Sequence, residues 1–147
     1  MAHDGQFCTF YVSGLFLGVE VTLVQEVIRY QQLTRVPLAS DVIGGLMNLR
    51  GQIVTAIDLR RRLGMPARDP GQLPINVVVR ASEGAVSLLV DQIGDVIEVE
   101  ESAFERPPPT LGGEARELIR GAYKLEGGLM LVLDTARALQ LGDDGSN

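Results

Sequence analysis

Cys8 is the only cysteine of the sequence and His3 the only histidine, so nucleophile–base catalysis has few parts to draw on. His3 lies in an N-terminal stretch expected to be mobile, where no partner could hold its ring for proton transfer. Cys8 alternates with Thr9 and Tyr11 in a candidate strand, the setting of an inert, buried thiol. No phosphate-cradling glycine loop and no Cys or His spacing of a metal site is present. Asp143-Asp144 reads as part of a solvated tail. Neither a phosphohistidine-carrying bundle nor an alternating βα receiver is compatible with the pattern. No catalysis and no cofactor is expected.

Arg60-Arg61-Arg62, with Arg68 nearby, is a basic run that could contact phosphate. The chain carries a net charge of −6 and places no aromatics among these arginines, so a solvated helix face is the expectation. Asn48-Leu49-Arg50-Gly51 is different in kind, because a loop delivers an arginine beside a glycine just before an apolar strand. Two readings stand. Arg50 pairs with a carboxylate such as Asp58 or Glu26 while Gly51 supplies a positive φ, or Arg50 belongs to a recognition surface.

The elements that must position these residues are mostly strands. Leu15, Leu17, Val19 and Val21 alternate with Phe16, Gly18, Glu20 and Thr22, a period of two with one buried face. Phe7 to Val12 precedes them across a Ser13-Gly14 turn. Ile53 to Leu59 is apolar on nearly both faces. Ile75, Val77 and Val79 face Val86, Leu88 and Val90 across Ser82-Glu83-Gly84, and a third hairpin joins Ala122–Leu125 to Leu129–Leu133. Helices are short: about a turn over Thr22 to Val27, Leu59 to Leu63 capped by Asp58 and stopped by Gly64, and Thr135 to Leu141 capped by Asp134 and stopped by Gly142. Pro66 to Pro74 and Arg106 to Thr110 read as connecting loops, the second stiffened by Pro107-Pro108-Pro109. Without helices between successive strands, a parallel βαβ sheet is excluded and small antiparallel barrels are favoured. One cysteine, no signal-peptide pattern and no long apolar run point to a soluble protein of a reducing compartment.

The sequence also echoes itself. Val24-Gln25-Glu26-Val27-Ile28 falls on Ile93-Gly94-Asp95-Val96-Ile97, and Leu49-Arg50-Gly51 on Ile119-Arg120-Gly121. Ile57-Asp58-Leu59 then matches Leu133-Asp134-Thr135, with a longer hairpin expected in the second copy. Two related halves, about 7–70 and 71–142, are expected to share one domain spanning 7–142, with 1–6 and 143–147 as flexible tails.

These residues resemble the CheW family from Phe7 to Leu141. The marks are Val24-Gln25-Glu26-Val27-Ile28, Thr34-Arg35-Val36-Pro37, the block from Ile43 through Asn48-Leu49-Arg50-Gly51 to Val54, Asp58-Leu59-Arg60, and Leu89-Val90-Asp91 through Asp95-Val96. Thr55-Ala56, where the family commonly has Pro-Val, and Asp95, in place of Glu, depart from it mildly. The resemblance implies an all-β fold of two small SH3-like antiparallel β-barrel subdomains sharing one core, with a few short helices. It implies a non-catalytic adaptor between the cytoplasmic tip of chemoreceptors and the regulatory domain of a CheA-type histidine kinase. Such an adaptor is cytoplasmic, recruited to receptor arrays at the inner face of the membrane, with no nucleic acid and no membrane insertion. Partner-binding positions are then expected at Val24, Glu26, Asn48, Arg50, Val90, Asp91 and Asp95. The alternatives are coupling in a non-flagellar chemosensory pathway for surface motility or second-messenger control, and a small enzyme or ligand sensor on a β-barrel.

Overall fold

The computed structural model describes residues 5–82 and 84–140. His3, the turn centre Glu83, the helix stop Gly142 and the Asp143-Asp144 pair lie outside them. Eleven strands and three short helices are described: β1 (Gln6–Val12), β2 (Leu15–Glu20), β3 (Val24–Ile28), β4 (Ile43–Leu49), β5 (Gln52–Asp58), α1 (Leu59–Arg62), β6 (Ile75–Ala81), β7 (Gly84–Val90), β8 (Gln92–Glu98), β9 (Phe104–Glu105), α2 (Gly113–Leu118), β10 (Ile119–Leu125), β11 (Gly128–Leu133) and α3 (Thr135–Ala138).

The strands form two curled sheets, ordered β8-β1-β2-β11-β10-β9 and β3-β6-β7-β5-β4. Each sheet mixes the two halves of the chain. β1 and β2 of the first half sit with β8 to β11 of the second, while β6 and β7 of the second half sit with β3 to β5 of the first. The joints are parallel, Leu17 beside Leu131 and Val86 beside Thr55, so the sheets are not purely antiparallel. A 69-residue shift carries Leu17 onto Val86, and a 76-residue shift carries Thr55 onto Leu131. The two joints are thus one arrangement written twice.

The hairpin registers differ from the expected match between the halves. In β4–β5, Ile43 faces Ile57 and Gly45 faces Ala56 across a bulge. In β10–β11, Ile119 faces Leu133 and Gly121 faces Val132 across the same bulge. The hairpins match in length at a shift of 76, so Arg50 corresponds to Glu126 and not to Arg120. The Arg-Gly coincidence had suggested a longer second hairpin, but Arg120-Gly121 lies at the start of a strand and Arg50-Gly51 in a turn.

One apolar core unites the halves. Phe10, Leu17, Val77, Val79, Leu88 and Val90 are fully buried within it, beside Leu118 and Leu133. The hairpin pairing is Ile75–Val90, Val77–Leu88 and Val79–Val86, as the alternation required. Asp58 and Asp134 cap α1 and α3 by accepting from the Arg60 and Arg137 amides at 3.1 Å. Gly64 ends the first helix at φ +76°. The stretch from Thr22 to Val27 is not helical beyond a single 3-10 turn at Val21–Leu23; the aliphatic–acid–Val–Ile pattern that follows is β3. Two β-branched valines within the four residues 24–27 favour the extended backbone there. α2 is an element with no counterpart in the sequence pattern. It starts after a glycine with no side-chain cap, which leaves no sequence signal for its beginning.

Candidate functional site

The residues that draw attention cluster at two places. β3 and β4 are the outer strands of the five-stranded sheet, and the turn that follows β4 reaches β3 through Arg50 and Glu26. Arg50 and Gly51 form the two-residue turn between β4 and β5, with φ of +54° and +89°. The Asn48 side chain sets this turn, its Oδ1 accepting from the Gly51 amide at 2.9 Å. Asn48 therefore acts on its own loop. The turn aims Arg50 at Glu26 on β3, where two parallel hydrogen bonds of 2.5 and 2.8 Å join guanidinium to carboxylate. This fork-to-fork pairing closes the barrel seam.

Of the two readings of Arg50, the carboxylate partner is Glu26 and not Asp58. The pairing is not a buried clamp, because the Arg50 side chain is 70% exposed and that of Glu26 19%. Hydrogen bonding from Arg50 holds the Glu26 carboxyl below its usual range, and Glu26 in turn raises Arg50. Both stay charged at any physiological pH. Val24 lies half-buried on the same edge, and Val27 is 41% exposed beside it.

The second place is the seam between the sheets. Asp91, between β7 and β8, takes Arg60 of α1 through Nε and Nη2, and Arg68 of the connecting loop through Nε at 3.0 Å and as an ion pair to Nη2 at 2.9 Å. It also accepts from the Ser13 amide at 2.7 Å. Burial pushes the Asp91 carboxyl up, but these donors outweigh it and leave the group below its usual range. Asp91 thus organises the fold. Arg62 likewise turns inward, donating to the Ala138 and Arg137 carbonyls at the end of α3. Only Arg61 of the basic run stays exposed, so the expected solvated face is largely a set of internal ties.

Val90 is fully buried and cannot touch a partner; its place in the hairpin core takes precedence. Asp95 is exposed on the edge strand β8, where its carbonyl accepts from the Thr9 hydroxyl. It stands at the position of Glu26 in the other sheet, but the residue in the place of Arg50 is Glu126, so the Arg50–Glu26 closure has no repeat there. The structure therefore brings Val24, Glu26, Asn48 and Arg50 together at one barrel seam. Asp91 and Asp95 stand apart from it.

Among the described residues, no group of three or more His, Cys, Asp or Glu side chains is placed to hold a metal. Burial raises the Cys8 thiol above its usual range, away from nucleophilic use. Among the described residues, no helix is long and apolar enough to cross a membrane.

Residues 6–142 match the family described as the CheW-like domain. The chain belongs to the CheW family. Among its relatives is the chemotaxis protein CheW of Bacillus subtilis, 32% identical over 130 residues that cover 88% of this chain and 83% of the relative. The chemotaxis protein CheW of Rhizobium meliloti is 28% identical over 131 residues, covering 89% and 78%. The crystal structure of the scaffolding protein TtCheW from Thermoanaerobacter tengcongensis superposes with a TM-score of 0.82 at 24% identity, over 94% of both chains. That likeness gives the CheW two-barrel fold to the sheets described above.

Proposed function

We propose that this chain is a non-catalytic chemosensory adaptor, working as a single domain over 7–142, that holds chemoreceptor tips and a CheA-type kinase regulatory domain together. Membership of the CheW family supports the class. The observation that carries the site is the exposed Arg50–Glu26 fork at the seam of the five-stranded sheet. A salt bridge this open adds little to stability, whereas an exposed arginine, held in one orientation beside Val24 and Val27, suits a binding hot spot. Joining two partners raises the effective concentration of each for the other, so receptor conformation biases the kinase without turnover. Such work places the protein in the cytoplasm, at receptor arrays on the inner face of the membrane. Asn48 presets the loop, and Asp95 offers an acidic position on the other sheet.

Calorimetry with a purified receptor cytoplasmic fragment and a kinase regulatory domain tests the reading. Arg50→Ala and Glu26→Ala are expected to weaken one of these associations by roughly tenfold or more. Unchanged binding of both variants to both partners refutes the site. Absence of any binding by the wild-type chain refutes the function.

A further inference from the structure

β3 does not run evenly against β6. Val24 faces Val79 and Glu26 faces Val78, so Gln25 between them is an extra residue with no partner of its own. Such a β-bulge re-aims the side chains that follow it. Partners across a ladder share a face of the sheet, and successive residues of one strand alternate between faces. Val79 lies in the core that unites the halves, and Val24 packs against that core. Val78 belongs with Met47 and Val54 on the other face, where Leu49, the residue before Arg50, also packs. In an even strand Val24 and Glu26, two residues apart, would share one face. The bulge separates them and turns Glu26 to the side of Arg50.

One side chain pins the strand just before the extra residue. Arg80 follows Val79, where the ladder with β3 ends. Its Nη1 donates to the Thr22 carbonyl at 3.2 Å and to the Val24 carbonyl at 2.9 Å. The 3-10 turn's own bond, from the Val24 amide to the Val21 carbonyl, uses neither of them. Arg80 is exposed, so water competes for both bonds, and their effect is local order more than global stability.

The other half supplies the comparison. β8 carries an extra residue at the same place, with Gly94 in the position of Gln25 and Asp95 in that of Glu26. There the Thr9 hydroxyl donates to the Asp95 carbonyl at 2.5 Å, and a Cβ on Gly94 would lie 2.5 Å from that hydroxyl oxygen. The position of Thr9 is taken in the first half by Val78, which has no hydroxyl, and that of Tyr11 by Arg80. Each bulge has its own clamp, and the arginine clamp sits in the half that carries the fork. We infer that Arg80 is a positioning residue of the recognition site, holding the β3 bulge so that Glu26 meets Arg50.

The consequence for binding rests on the recognition reading of the fork; the clamp itself is measurable in the free protein. The experiment follows the Glu26 carboxyl of the full chain by carbon-13 NMR titration, beside calorimetry with the receptor cytoplasmic fragment and the kinase regulatory domain. Hydrogen bonding from Arg50 holds this carboxyl below its usual range. Arg80→Met keeps an apolar stem and removes the donors. In it Glu26 is expected to rise toward the usual carboxylate range, with a melt close to wild type. Affinity for the partner that Arg50 holds should fall by about three- to tenfold, and by no more than in Arg50→Ala. Arg80→Lys, which keeps a donor and the charge, should restore part of both. In an Arg50→Ala background, Arg80→Met should move neither any further. A Glu26 carboxyl unmoved by Arg80→Met overturns the clamp, even if affinity falls, because Arg80 then meets the partner directly. A rise of Glu26 in the Arg50→Ala background overturns it in favour of a plain charge effect, and a large drop in melting temperature makes Arg80 a general fold residue. Glu26 raised with both affinities intact leaves the clamp standing and refutes the recognition reading of the fork instead.

Discussion

Arg60 grips Asp91 with two nitrogens, Nε at 3.0 Å and Nη2 at 2.7 Å, and so ties the helix that ends the β4–β5 hairpin to the end of β7. Arg68 takes the other side of the same carboxylate, and the Ser13 amide adds a third direction. Side chains here are only 9–17% exposed, so these charges have given up most of their water. Such a cluster stabilises little over an apolar replacement, but breaking it leaves buried charge unpaired.

Asp91→Asn keeps the shape and removes the charge that two arginines share. It is expected to cost about 2–4 kcal/mol in a urea melt at pH 7. The native pKa of Asp91 is depressed, so its stabilising effect is full above the unfolded value, about 3.9, and fades as pH falls through the native one. The gap between wild type and variant should therefore be constant from pH 7 to about 5 and shrink below about pH 4. A gap of equal size at pH 3 would assign the loss to hydrogen-bond geometry and not to charge.

Val90 is fully buried in the β6–β7 hairpin, opposite Ile75. Val90→Asp places a carboxylate among aliphatic side chains with no cation built to receive it, at a cost of several kcal/mol. Because both sheets draw strands from both halves, the loss should appear as one cooperative transition shifted down, by circular dichroism and by fluorescence alike. Two separate transitions would show that the interleaved sheets unfold independently.

Hairpins and caps were legible because each is a local rule. Ser13-Gly14 marks a turn, Asp58 and Asp134 mark helix starts, and alternation marks the buried faces of Leu17, Val77 and Leu88, whereas β4 was not read, so that Arg50-Gly51 stood only as a loop before β5. β3 was misread because Val24-Gln25-Glu26-Val27-Ile28 fits one helical turn as well as a strand, and the choice falls to pairing with β6, 50 residues away. The exchange of strands between halves leaves no local trace for the same reason. Within the site, Glu26 as partner of Arg50 was one of two carboxylates the residues allowed; only the reach of the turn after β4 to β3 decides for it. Val90 and Asp91 carry a family motif but work in the core and the seam, since a motif constrains folding as strongly as contact.

The two helix caps offer an internal comparison. Asp58 and Asp134 occupy equivalent positions, but Asp58 also lies 3.9 Å from Arg68, which also holds Asp91. Asp134→Ala should cost about 1 kcal/mol, the ordinary worth of a cap. Asp58→Ala should cost more, by up to about 1–2 kcal/mol, since it also takes a counter-charge from a buried arginine. Equal losses would mean that Arg68 is satisfied by Asp91 alone.

The Arg50–Glu26 fork admits a charge-reversal test that separates closure from recognition. Arg50→Glu alone sets two carboxylates against each other at the seam, and Glu26→Arg alone sets two cations there. Each should lower the melting temperature slightly, because the pair is open to water and screened by salt. The double variant, Glu26→Arg with Arg50→Glu, restores an opposite-charge pair and should regain the wild-type melt. If the fork only closes the barrel, the double variant should also regain partner affinity. A partner that reads the exposed guanidinium meets a carboxylate in its place, so affinity should stay down by roughly tenfold or more although the fold has recovered. Recovery of both melt and affinity in the double variant would reduce Arg50 to a seam residue and move the recognition surface elsewhere.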